Sequence, residues 1–199
     1  MAPTKIASIA IISTGVVGGG IGTVYAFSPS KSKPIATTTI AQKLANEALT
    51  VLSDSEEARW AIKLHTYNHE VKNSNTEINL GGKLWGDLKS WCERKLKDVF
   101  KTTNNRIYEG IKKICTAPSN KEKLASANKT LATSDEDWGK RKTAYDKAND
   151  NELITGIQKN TENKEAIKQW CETALKEEYQ GDQKNKYPLV AKWCVNDPA

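Results

Sequence analysis

The residues of this chain best suited to chemistry are its four cysteines, and two of them share one context. Residues 88–96 read LKSWCERKL and residues 167–175 read IKQWCETAL. A doubled Trp-Cys pair is open to three readings: a reactive thiolate, a metal ligand or a structural knot. A thiol oxidoreductase uses C-x-x-C and a zinc site uses paired ligands such as C-x2-C; neither spacing occurs. The only histidines, His65 and His69, stand four apart on a predicted helix, at one-turn metal-ligand spacing. The zincin pattern needs Glu directly after the first His to activate a metal-bound water, and Thr66 stands there instead. The second half of the chain carries Thr143 and Lys147 where these histidines align. The expectation is two surface histidines, with no catalytic residue, no metal site and no cofactor. The glycines at 18–22 lack a following Lys-Ser/Thr, so they form no phosphate loop.

The elements that position the cysteines come from a duplication. Cys92 and Cys171 are 79 residues apart, as are Cys115 and Cys194. The same shift pairs Leu88 with Ile167, Trp91 with Trp170, Leu96 with Leu175 and Tyr108 with Tyr187. At a shift of 78, Trp60 and Tyr67 align with Trp138 and Tyr145. Fixed-period self-similarity of this kind marks a repeat architecture. The predicted organisation is a segment at 1–27, a linker at 28–39, one repeat at 40–118 and a second at 119–199.

Each repeat reads as four helices. Ala, Leu, Lys and Glu dominate, β-branched runs are absent, and the fold class is all-α. The first helix covers about Ile40 to Leu52. The second follows Ser53-x-x-Glu56, read as a capping box, and stacks Trp60, Leu64, Tyr67 and Val71 on one face. The third, from about Lys83 to Phe100, carries a stripe of Trp85, Leu88, Cys92, Leu96 and Val99. The fourth runs from about Arg106 to Cys115 and is stopped by Pro118. Leu88, Trp91, Leu96 and Tyr108, with Ile167, Trp170, Leu175, Tyr187 and Trp193, are the expected core around the cysteines.

If the third and fourth helices form an antiparallel hairpin, facing residues are symmetric about its turn. The midpoint of Cys92 and Cys115 falls within Thr102–Asn105, and that of Cys171 and Cys194 within Gly181–Gln183. Both are turn-forming stretches. Each hairpin therefore brings its two cysteines together. In an oxidising compartment they pair as disulfides, each stabilising its repeat by roughly 3 kcal/mol. In the cytoplasm they are small buried hydrophobes. The sequence leaves both open.

The compartment depends on the N-terminus. Ile6 to Phe27 is 22 residues without a charge, long enough to span a bilayer core. An uncleaved anchor is the first reading. A signal peptide cleaved after Ala26 is the second, since Val24-Tyr25-Ala26 offers small residues at the right spacing. Gly15 with Gly19, and Gly18 with Gly22, are spaced to let two such helices approach, so oligomerisation is one expectation. Lysines flank the segment on both sides, and the positive-inside rule chooses no orientation.

The chain has 199 residues, 30 basic and 24 acidic, for a net charge of +6. The excess is spread along the chain with both signs mixed, and no basic cluster or aromatic-glycine RNA signature accompanies it, so no nucleic-acid partner is expected.

The whole pattern is an apolar Gly-rich N-terminus, then W-x6-Y, [LI]-K-x-W-C-x3-L and a closing Cys as in KWCVNDP. It resembles the large paralogous families of uncharacterised proteins of haemotropic mycoplasmas, wall-less bacteria that live on red blood cells. The resemblance covers the N-terminal segment and both repeats; Ile114 departs from it, standing where Trp193 precedes Cys194. It implies a membrane-anchored surface protein whose body faces outward, with a role in host contact or antigenic variation and antibody exposure. The alternative is a cytoplasm-facing or oligomeric membrane scaffold with reduced core cysteines.

Overall fold

The computed structural model describes residues 37–53, 56–75, 77–161, 164–184 and 186–196. The uncharged stretch 6–27 lies outside the described residues. Among those described, no helix is long and apolar enough to cross a membrane.

Helix α1 (Ile40–Asn46) starts where it does because Thr39 and Gln42 form a reciprocal capping box. It ends at Asn46 rather than continuing to Leu52, because Ala48 turns into the left-handed region at φ 57°. Helix α2 (Glu57–Thr66) continues through a single π turn, Tyr67–Val71. Its N-cap is Glu56, which makes no side-chain capping bond, so the box expected at Ser53–Glu56 does not set its start. Ahead of it the chain is tied to Cys115, whose carbonyl accepts from Leu52 N–H at 3.0 Å. Helix α3 (Trp85–Lys95) and helix α4 (Asn105–Cys115) form the expected hairpin, although α3 is shorter at both ends than the expected Lys83–Phe100.

The second half repeats this plan. Helix α5 (Asn120–Ser126) begins on a Ser119–Glu122 capping box. Helix α6 (Asp135–Asp146) begins on a Ser134–Asp137 box, helix α7 is Lys164–Ala174, and helix α8 (Tyr187–Trp193) opens with Pro188 in its first turn. The fold is all-helical among the described residues, apart from four isolated antiparallel bridges. Those bridges also come in equivalent pairs: Thr39 with Val99 matches Ser119 with Glu178, and Val51 with Thr116 matches Leu131 with Val195.

The duplication extends to side chains. Asn128 takes the left-handed position of Ala48, at φ 55°. Tyr67 donates its hydroxyl to the Ile78 carbonyl at 3.1 Å, and Tyr145 donates to that of Ile157 at 2.9 Å. Phe100 meets Tyr108 edge-on at 4.9 Å, and Tyr179 meets Tyr187 likewise at 5.0 Å. The residues from Ala36 on form one compact unit holding two apolar clusters. The first centres on Trp60, Leu88, Cys92, Ile111 and Cys115, and the second on Tyr145, Ile167, Cys171, Val190 and Cys194. With both cores inside it, this body has what it needs to fold without the preceding segment.

Candidate functional site

The structure brings both cysteine pairs together across their hairpins. Cys92 joins Cys115 and Cys171 joins Cys194, each with Cα atoms 5.5 Å apart. All four are fully buried. The geometry follows from the stripe: Cys92 faces inward in the middle of α3, and Cys115 closes α4 where it crosses back. Such enclosed sulfurs present nothing to a substrate.

The aromatic residues around them behave unequally. Trp91 is buried beside Cys92, whereas Trp170 and Leu175 are half-buried and pack against the edge of the second cluster. Trp193 takes the inner position in the second repeat. It is buried edge-on to Tyr145 at 4.9 Å, and its indole N–H donates to the Glu152 carbonyl at 2.7 Å. Ile114 holds that place in the first repeat. Leu88, Leu96, Tyr108, Ile167 and Tyr187 are buried, as are Trp60, Tyr67, Trp138 and Tyr145.

His65 is half-buried and His69 exposed, with rings stacked at 4.1 Å. Burial, and then the neighbouring His69, push His65 below the usual histidine range. Among the described residues no group of three or more His, Cys, Asp or Glu could hold a metal ion.

What sequence reasoning missed is the junction between the repeats, built on the back of α2. Trp60, Leu64 and Tyr67 turn to the first cluster, while Ile62 joins the second. Beside Ile62, Lys63 is 2% exposed. Its ammonium donates to Glu122 Oε1 at 2.7 Å, to Glu122 Oε2 at 2.9 Å and to the Lys113 carbonyl at 2.9 Å. Thr66 adds a hydroxyl donated to Glu122 at 3.0 Å, and Arg59 reaches Glu178 at 2.5 Å. Burial pushes Lys63 below its ordinary value despite the favourable Glu122 carboxylate beside it. Glu122 is thus used twice, as the capping residue of α5 and as counter-ion to the first repeat. Arg141 stands at the position of Lys63 in α6 and is equally buried, at 1% exposed. Both repeats therefore turn a cation inward from the back of this helix.

No family model, curated protein or solved structure matches the chain. Among the described residues the chain is all-helical, with two equivalent sets of four helices, each closed by one cysteine pair, and a buried ion pair between α2 and α5.

Proposed function

We propose that this is a membrane-anchored, surface-displayed repeat protein that acts by binding or antigenic display rather than by catalysis. Residues 6–27 form the membrane segment, and the repeat body stands on the oxidising side. The observation that carries the reading is the pairing of all four cysteines within hairpins at equivalent positions of the two repeats. Such pairs persist in extracytoplasmic compartments and are rare where glutathione keeps thiols reduced. Two units with a common core and different surfaces suit a family whose members vary in what they present. Host contact or immune evasion is the role implied by the resemblance to the haemotropic mycoplasma families.

Protease treatment of intact cells displaying the full chain tests the reading. Digestion of the body without lysis is the expected outcome. A body that stays intact until the membrane is broken would place it in the cytoplasm and end the proposal.

A further inference from the structure

The two repeats differ in chemistry at one equivalent place, beside the bridge that ties the start of each repeat to its hairpin. In the second repeat this place is held shut by charge. Lys186 reaches Glu177 at 2.5 Å, Glu178 pairs with Arg59 at 2.5 Å, and the Tyr179 hydroxyl donates to Asp182 at 2.8 Å. In the first repeat Ile107 replaces Lys186, Val99 replaces Glu178 and Thr103 replaces Asp182, so the straps are gone. A groove of about 370 Å³ opens there, lined by Ile40, Val99, Phe100 and Ile107, with Lys95 and Lys101 at its rim. Val99 is 45% exposed, one of two exposed large apolar side chains among the described residues, the other being Leu84.

The surroundings are basic. Lys95 is paired with Asp98 at 3.0 Å, but among the described residues Lys97 and Lys101 enter no ion pair. The chain also enters the body at this rim. Phe100 N–H donates to the Thr38 carbonyl at 2.8 Å, and Thr38 stands eleven residues after Phe27.

We infer that this apolar, lysine-rimmed groove of the first repeat is a contact site for anionic membrane lipid. Val99 and Phe100 meet acyl chains while Lys101 meets headgroup phosphate, with Lys97, next in sequence to the lining Asp98, as a neighbouring cation. An apolar edge combined with nearby lysines is what holds a protein at an anionic interface. The other available occupant, α6 of a second copy docked as α2 docks on the second repeat, is mismatched. It carries Lys140 where Ile62 enters the apolar cluster, and Asp137 where Arg59 makes its ion pair. The choice of lipid rests on the proposed membrane attachment; the groove's chemistry does not.

The test uses the body from Ala36 on, without the preceding segment, so that only the groove is read. Sedimentation with vesicles of phosphatidylcholine alone, and with phosphatidylglycerol added, should show binding to the anionic vesicles only, weakened by salt. Lys97→Gln and Lys101→Gln should each weaken it about fivefold. Val99→Glu with Ile107→Lys installs residues that the second repeat already accommodates, and should abolish binding with helical content unchanged. Vesicle binding unaffected by the lysine substitutions or by the Val99/Ile107 pair would overturn the inference. So would absence of binding, or self-association in buffer that the same substitutions remove. Because the first 35 residues are absent from this assay, its failure leaves the protease result standing, and the reverse holds too.

Discussion

Lys63 of α2 lies 2.7 Å from Glu122 of α5, and this ion pair is a buried polar link between the two repeats. Neither group could be there alone. A lysine that is 2% exposed has lost its water, and its burial is tolerated because Glu122 and the Lys113 carbonyl replace it. Such a pair adds little over a well-packed apolar replacement, yet leaving either half without the other is costly.

Glu122→Gln therefore isolates the charge. Glutamine keeps the α5 capping box, as Gln42 does for α1, but leaves the ammonium without its counter-ion. The expected loss is about 3 kcal/mol, as for breaking one side of a buried pair. Lys63→Met combined with Glu122→Gln should recover most of it. Urea unfolding of the body measures both, and a double substitution as costly as the single would show that the ion pair is not the cause.

The cysteine pairs give a prediction about symmetry. Both close loops with a sequence separation of 23, so the chain-entropy gain is equal, about 3 kcal/mol each. Replacing Cys92 and Cys115 by alanine should lower stability by that amount, and so should replacing Cys171 and Cys194. Reducing both removes a large part of the 5–15 kcal/mol typical of a domain, and a reduced body should lose its cooperative transition. Denaturant curves with and without a reductant check this.

Acid should weaken the first repeat at an identifiable carboxylate. Glu47 accepts from Lys112 at 2.6 Å, pairs with Lys43 at 3.0 Å and accepts from the Tyr108 hydroxyl at 3.0 Å. Those three partners, Lys112 foremost, pull its pKa from 4.5 down to about 2. A carboxylate whose pKa is depressed on folding contributes stability that is complete above its unfolded value. That contribution disappears as pH falls through the folded value. Thermal midpoints should therefore decline between about pH 5 and pH 2. Glu47→Gln should flatten part of the decline, and salt should shrink the difference because the site is open to solvent. An unchanged slope in the variant would remove Glu47 from the account.

Much of this architecture could be read from the residues, and the reasons are physical. Apolar periodicity and the 79-residue shift are properties of single helices and of the chain's own repetition, so four helices per repeat and the cysteine partners followed from them. The junction was not legible for the opposite reason. Lys63 and Glu122 are ordinary charged residues in their own helices, and only docking two repeats removes their water. Helix starts erred where backbone outside the helix decides. Ser53-x-x-Glu56 fits a capping box, yet Leu52 is tied to the Cys115 carbonyl and α2 begins at Glu57 with no side-chain cap. The open groove beside Val99 became visible only by comparing equivalent side chains once their positions were known.

Two glycines within helices should respond oppositely to alanine. Gly139 in α6 has open space where a Cβ would sit, so Gly139→Ala removes backbone freedom from the unfolded chain at no steric cost. It should stabilise by about 0.5–1 kcal/mol. Gly110 in α4 is packed under Ile78 and Asn75. A Cβ there would overlap Ile78 Cδ1 and come within 3.1 Å of Asn75 Nδ2. Ile78 is buried in the first cluster, and the Asn75 amide is held by donating to the Arg106 carbonyl at 2.8 Å. Overpacking of this kind costs about 1–3 kcal/mol, which exceeds the helix-propensity gain. Gly110→Ala should accordingly lower the unfolding midpoint while Gly139→Ala raises it. Adding Ile78→Val, which shortens the obstructing side chain, should return part of the Gly110→Ala loss. Because the second substitution normally destabilises by itself, a partial rescue would identify the clash rather than the helix as the source.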